Sequence, residues 1–478
     1  MLRECDDFAM LLTFVILYLL ASIAVGLWFA RRVKGTEDYT VAGRSLPLSV
    51  VIATTFATWF AAETVLGIPA KFLRGGLEAT VEDPWGASMC LILVGVFIAH
   101  KLYPMSLLTI NDFYRDRYGK ATELFCSVVD VISYLGWVAA QVTALGVVFH
   151  LITEGAITTR QGAFLGTAVV LVYTIYGGMW SVAATDFLQM IIIVAGLLGI
   201  AVVAGNMSGG LAKVLEVAQE RQLLRFFPER NFQETMFFIG AAITIMFGSI
   251  PQQDIFQRVM SSKSQRIAVL GPIIGGTGYF ILAMVPMFIV VCSLIIMPTQ
   301  TAELIKDEST SQYILPRLIM DHMPVFAQIM FFGALLAAIM STASATVLAP
   351  STVFVQNIIK HFYRGMNDRQ ELRLMRYTVF AFTVVVFSYA LIMEGTSVYD
   401  MVSTTYQLPV VGAFVPLVAG LYWKRANNCG AITSIVLGVG TWILFFSTPL
   451  GDEFPQQLAG LLMAIVGMWA GSMFGPSK

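Results

Sequence analysis

Residues 53–67 read A-T-T-F-A-T-W-F-A-A-E-T-V-L-G, and Ile68-Pro69 follow. The stretch lies inside an apolar run, 47–73, that is long enough to cross a bilayer, whose hydrocarbon core takes about 20 helical residues. Backbone in hydrocarbon must satisfy its own hydrogen bonds. A glycine and a proline in mid-span, at Gly67-Ile68-Pro69, therefore predict a helix that breaks. A second apolar run, 235–257, carries Gly248-Ser249-Ile250-Pro251. With the opening helix set aside, these runs are the first and the sixth. Interrupted helices at matching positions of two five-helix halves point to a transporter built from inverted repeats; an ordinary proline kink is the competing explanation. Glu63 is an ionisable group at membrane depth, which reads first as functional. The alternative is a structural carboxylate that accepts from freed backbone N–H groups.

The rest of the 478 residues fits that beginning. Hydrophobic residues make up 57%, charged residues 12%, and the mean hydropathy is +0.76. A soluble domain has about twice that share of charge, and no soluble fold hides so much apolar surface. A water-soluble enzyme is excluded. The net charge of −1 offers no basic excess for a phosphate backbone, so nucleic acid is not an expected partner. The cysteines at 5, 90, 126, 292 and 429 are scattered and form no C-x-x-C pair, which argues against a disulfide framework or a zinc site.

Thirteen spans are expected, near 8–30, 47–73, 85–101, 123–152, 161–177, 183–205, 235–257, 267–296, 324–358, 375–394, 400–423, 428–446 and 457–474. The runs are long and do not alternate, so a β-barrel is excluded. The first run is too long for a signal peptide and is followed by Arg31-Arg32, as in a retained anchor. An odd count puts the termini on opposite sides. With the N-terminus outside, the inner loops hold nineteen of the 29 Lys and Arg residues, among them Arg31, Arg32, Lys101, Arg258, Arg364, Lys424, Arg425 and Lys478. The positive-inside rule then favours N-out and C-in. Residues 210–225 carry leucine and valine at helical spacing, as a short interfacial helix would. Gly275-Gly276-Thr277-Gly278 lies inside a span, where small residues serve packing.

A second polar cluster lies in A-A-I-M-S-T-A-S-A-T-V-L-A-P-S-T, residues 337–352. Ser341 and Ser344 share one helix face, and Thr342 and Thr346 share the next. Hydroxyls are hard, neutral ligands; with carbonyls from an unwound helix they can replace the water around Na⁺. The plainer role is helix-to-helix hydrogen bonding. Asp186, in S-V-A-A-T-D-F (181–187), reads as a cation station on the inner side or as a helix-entry carboxylate. Tyr176-Gly177-Gly178 just before it predicts a tight inner turn.

In order along the chain, A-T-W (57–59), G-I-P (67–69), Y-G-G (176–178) with T-D (185–186), I-P (250–251) with F-Q-R (256–258), and A-I-M-S-T (338–342) resemble the sodium/solute symporter family, over roughly residues 10–450. The resemblance implies an all-α integral membrane protein with thirteen transmembrane helices of LeuT-like architecture. A leading helix (8–30) precedes the first repeat (47–205), an inverted second repeat (235–423) and two C-terminal helices (428–474). It implies a main sodium site formed by carbonyls at Ala57, Phe60 and Ala338 and hydroxyls at Ser341 and Thr342. Asp186 and Ser344 match a second sodium site or an exit path; Ala345, which matches a further ligand, has no hydroxyl.

Within that family, I-P-Q-Q-D-I-F-Q-R-V-M-S-S-K-S (250–264) and A-T-W resemble the high-affinity choline transporters. A quaternary ammonium has no N–H to donate and is held by aromatic faces. Trp59 and Trp137 match two walls of such a cage. Gln252 and Ala87 stand where those transporters carry further aromatics, and Ser344 where they carry an acidic residue. On this reading Gln252 offers an amide suited to a carboxylate or amide. The expected protein is a cell-membrane symporter, not an enzyme. It couples inward Na⁺ to uptake of a small organic solute, choline-like or zwitterionic, with the solute beside Trp59, Glu63, Trp137 and Gln252. A proline-like amino acid is the alternative solute. A passive channel and a non-transporting sensor are the alternatives of a different class.

Overall fold

The computed structural model describes residues 2–475 except Arg230 and Arg364, with side chains from residue 9 onward. Arg364 and Lys478, counted above among the inner charges, lie outside the described residues, as does the Cys5 side chain. The chain is helical almost throughout; the one β-bridge among the described residues joins Leu46 to Ser262. Among the described residues, ten helices are long and apolar enough to cross a membrane, and two bent pairs raise that number to as many as twelve.

The second bent pair bends at its glycine–proline interruption, but the first does not: it bends at 60–62, and Gly67-Ile68-Pro69 continue the helix, a wider turn over Glu63–Gly67 leading into Pro69. Leu48–Trp59 and Glu63–Gly75 meet at 56°, and Phe232–Gly248 and Gln253–Ser261 at 45°. The isolated bridge lies just before one bent pair and just after the other: Leu46 N donates to Ser261 O at 2.9 Å and Lys263 N to Leu46 O at 3.0 Å. The second break also depends on close backbone approach. A Cβ on Gly248 would lie 2.3 Å from Tyr406 O, so only glycine lets the two helices meet there.

The expected spans 161–177 and 183–205 are joined more tightly than their sequence suggested. They form one helical run, Thr159–Met207, of 49 residues, interrupted at Gly178 (φ 50°, ψ −140°). At 1.5 Å per residue such a run is about 74 Å long, more than twice a bilayer core. Its start is set by Thr158, which accepts from Gln161 N while the Gln161 side chain accepts from Thr158 N, a reciprocal cap. The short helix Leu211–Glu220 follows, with Val214 and Ala218 buried. The small residues at 275–276 pack closely. Gly275 meets Thr55 and Ile52 on the first bent helix, and Gly276 meets Leu91 and Ser88.

At the centre runs Val325–Val353, with every residue from Phe331 to Val353 buried. It packs against Thr159–Met207, Lys120–Ile152, the first half of the first bent pair (Leu48–Trp59) and the second half of the second (Gln253–Ser261). The outer surface is apolar, with Leu17, Phe164, Val202, Ile281 and Trp469 all exposed, as a lipid-facing perimeter requires.

Candidate functional site

The first break begins at Phe60 (φ −85°, ψ 86°), which ends the helix begun at Leu48. Two amide donors beyond it turn away from the helix. Ala61 N donates to Thr64 Oγ1 at 3.3 Å and Ala62 N to Gln141 Oε1 at 3.1 Å. The carbonyls four residues earlier, on Ala57 and Thr58, thereby lose their helical donors. Glu63 stands just past the break, buried. It accepts from Trp137 Nε1 at 2.8 Å and from Gln141 Nε2 at 2.9 Å. Glu63 is thus tied to the break through Gln141, and to an aromatic wall through Trp137. The freed Ala62 amide goes to Gln141 and not to Glu63, whose two partners are side chains.

The central helix supplies the facing surface. Thr342 Oγ1 donates to Thr58 O at 2.7 Å and lies 3.2 Å from Ala338 O. Ser341 Oγ donates to Asp186 Oδ1 at 2.6 Å. The other two hydroxyls of the cluster turn inward on their own helix, Ser344 to Ser341 O at 2.9 Å and Thr346 to Thr342 O at 2.7 Å. Asp186 is fully buried and is not a helix-entry carboxylate. It sits eight residues past Gly178, where Thr54 Oγ1 donates to its other oxygen and Thr58 Oγ1 lies at 3.5 Å. Each hydroxyl proton in this seam is committed, which leaves oxygen lone pairs free to face a cation.

Arg258 corrects the sequence reading. Expected among the inner-loop cations, it lies within Gln253–Ser261 with 1% of its side chain exposed. Its guanidinium reaches Thr54 O at 3.2 Å, Asp254 O at 2.6 Å and the Thr58 hydroxyl, with Asp186 at 4.0 Å. A buried guanidinium needs this company, because an uncompensated charge in the core costs several kcal/mol. Arg258 thus joins the second bent helix to the first.

At the second break Gln252 is buried. Its Nε2 donates to Ser133 Oγ at 3.0 Å, and Ser133's own proton goes to Asp130 O at 2.7 Å. Ser133 can only accept here, so the amide nitrogen must face it and the carbonyl Oε1 points elsewhere, buried and without a partner. The unpartnered atom of the Gln252 amide is thus an acceptor. Nearby, Asp254 Oδ1 accepts from Tyr134 OH at 2.7 Å while Oδ2 has no partner. Ser249 Oγ and Trp59 Nε1 are also buried and unpartnered.

The aromatic residues gather between the breaks. Trp59 and Trp137 meet edge to face with centroids 5.9 Å apart. Tyr406 closes the group, 6.4 Å from Trp59 and 5.6 Å from Trp137, and Tyr134 stacks on Trp137 at 6.2 Å. Trp59 and Trp137 are 3% and 1% exposed, so the cluster is sealed from both aqueous sides. Sequence reasoning missed Tyr406, Gln141 and Asp254. Tyr406 lies in V-Y-D-M-V-S-T-T-Y-Q-L-P (398–409), where Pro409 was the available signal of an irregular helix. Gln141 sits one helical turn after Trp137.

Two interrupted helices crossing a buried hydroxyl helix, inside an apolar perimeter, define a multi-pass membrane transporter of LeuT-like architecture. Residues 39–438 match the description "Sodium:solute symporter family", and the chain belongs to that family. It is a Na⁺-coupled solute symporter and not an enzyme. It is 28% identical to the human high affinity choline transporter 1 over 90% of this chain and 75% of that protein. It is 26% identical to the sodium/sialic acid symporter NanT of Aliivibrio fischeri, over 96% of this chain and 92% of that one. It is 26% identical to the high-affinity proline transporter PutP of Bacillus subtilis, over 94% of each. Among solved structures, a Na⁺-coupled sialic acid symporter superposes with a TM-score of 0.84 at 20% identity, over 98% of both chains. The nucleobase-cation symporter Mhp1 superposes at 0.58 and 14% identity, over 92% of this chain and 96% of that one.

Proposed function

We propose that this protein imports a small organic cation of the choline class together with Na⁺, by alternating access, across the cell membrane. The observation that carries the solute class is the sealed group of Trp59, Trp137 and Tyr406 with the Glu63 carboxylate on its rim. Aromatic faces and a carboxylate attract a desolvated ammonium. The buried atoms without partners weigh the same way. Gln252 Oε1 and Asp254 Oδ2 are acceptors, and Trp59 Nε1 is a donor. They suit a cation bearing a hydroxyl better than a carboxylate, which would bring acceptors to acceptors. The kinship with the choline transporters supports this assignment. The kinship with the proline and sialic acid symporters keeps those solutes in the test.

Na⁺ is a co-substrate. Its site is formed by the carbonyls of Ala57, Phe60 and Ala338 and the hydroxyls of Ser341 and Thr342. The freed carbonyl of Ala57 and the contact of Thr342 with Thr58 and Ala338 support it. Asp186 polarises the Ser341 hydroxyl and serves as the next station on the inward path. Ser344 bonds its own helix, so a second sodium is not part of the reading. Na⁺ holds the broken helix against the central helix, which prepares the solute site beside Trp59. By linkage, ion and solute raise each other's affinity by the same factor. In the membrane the chain has thirteen spans, because Gly178 divides Thr159–Met207 into two. Its N-terminus is outside and its C-terminus inside. The repeats 47–205 and 235–423 are inverted copies, each opening on a bent helix.

The test is uptake into proteoliposomes of choline, betaine, proline and sialic acid, with and without a Na⁺ gradient. Choline should accumulate only with Na⁺, and Trp59→Ala should weaken choline affinity about tenfold or more while leaving Na⁺ affinity within about twofold. Na⁺-driven proline or sialic acid uptake with no choline uptake would overturn the solute class. Equal loss of both affinities in Trp59→Ala would make that residue structural.

A further inference from the structure

A cleft of about 1090 Å³ opens between the segments 115–119 and 424–433 and the end of the last helix, Gln456–Phe474. Its charges do not balance. Arg115 is held by Asp112, Asp116 and Glu123 at 2.9, 3.5 and 3.3 Å. This uses Asp116, the one carboxylate of the lining. Arg117 donates only to the carbonyls of Gly420, Trp423 and Lys424, at 3.2, 3.3 and 3.3 Å. Lys424 and Arg425 are exposed, and among the described residues neither pairs with a carboxylate. Among the described residues, three positive charges therefore converge without a counter-charge. The helix Asn428–Phe446 starts in the same cleft with its amide end toward it.

A second observation points to an occupant. Ser472, 8% exposed, lines the cleft, and its buried Oγ has no hydrogen-bond partner. The cleft is apolar on its remaining side. Ile432 and Met473 line it, and beyond them Val436 and Trp469 are 56% and 54% exposed on the lipid-facing perimeter.

We propose that this cleft binds the headgroup of an acidic phospholipid. The phosphate lies against Lys424, Arg425 and the start of Asn428–Phe446, with the Ser472 hydroxyl free to donate to it. The acyl chains run over Ile432, Val436 and Trp469. A free phosphate would use the cations and leave that apolar strip bare. A phosphatidylcholine headgroup would bring its own ammonium against three cations. Basic pockets at the ends of membrane helices recognise lipid charge in this way.

The purified protein is tested in phosphatidylcholine nanodiscs into which phosphatidylglycerol is titrated, with lipid retention and unfolding temperature as readouts. Phosphatidylglycerol should raise the unfolding temperature of the native protein. Lys424→Gln with Arg425→Gln should weaken its retention about thirtyfold, with no change in pure phosphatidylcholine. If the double substitution destabilises the protein by itself, the charge-preserving pair Lys424→Arg with Arg425→Lys should restore the lipid-dependent rise. Three results would overturn the proposal: an equal response of native and double-substituted protein, failure of the charge-preserving pair to respond, or an equal rise with inorganic phosphate or glycerol phosphate alone.

Discussion

Ser341 and Thr342 are neighbours in sequence yet do different work. Thr342 bonds the carbonyl end of the first broken helix, and Ser341 bonds Asp186. Ser344 and Thr346, equally polar and equally buried, bond only their own helix. Sequence spacing grouped all four, because it reports faces and not hydroxyl rotamers. The distinction is testable. Ser341→Ala with Thr342→Ala should abolish Na⁺-dependent uptake, each lost hydroxyl weakening Na⁺ affinity about tenfold or more. Thr346→Ala should leave that affinity unchanged. A normal half-saturating Na⁺ concentration in the reconstituted double variant would refute the ion site.

Among the elements, three interruptions carry the architecture, and two have a local cause. The second bend lies at Gly248-Ser249-Ile250-Pro251 and the break at 178 at a glycine pair, whereas the first bend lies at 60–62, ahead of Gly67 and Pro69. Gly178 holds φ 50° and ψ −140°, a conformation that an L side chain rarely adopts, and a Cβ there would lie 2.4 Å from Tyr39 O. Gly178→Ala should therefore destabilise the protein by at least about 1–3 kcal/mol. Gly440→Ala, in a straight helix where a Cβ meets nothing within 4 Å, should stabilise by up to about 1 kcal/mol. Thermal unfolding of both variants in one detergent gives the comparison. Equal behaviour would mean that the break at 178 needs no glycine. The positions of the second bend and of the break at 178 were legible in the sequence because Gly and Pro act on their own backbone; the first bend, at Phe60, Ala61 and Ala62, carries neither residue. The partners that satisfy the freed groups were not legible either: Gln141, which takes Ala62 N, lies 79 residues away.

For the whole molecule, the proposed cargo fixes the charge moved. Each charge crossing a potential of 100 mV contributes about 2.3 kcal/mol, or about fiftyfold in accumulation. One Na⁺ with a choline-class cation moves two charges, and one Na⁺ with a zwitterion moves one. Imposed diffusion potentials across proteoliposomes should give a slope of two charges per solute; a slope of one would remove the cationic solute. The sequence alone determined membrane insertion, two of the three sites of helix breakage and the polar character of the central helix. These follow from residue types within about twenty positions of one another. Tertiary structure alone decided that Arg258 is an internal clamp and not a loop cation. It decided that Gln252 presents its carbonyl, and that Tyr406 completes the aromatic group. Each of those depends on at least one partner more than a hundred residues distant (Thr54 and Thr58 for Arg258, Ser133 for Gln252, Trp59 and Trp137 for Tyr406), and periodicity carries no record of such pairings.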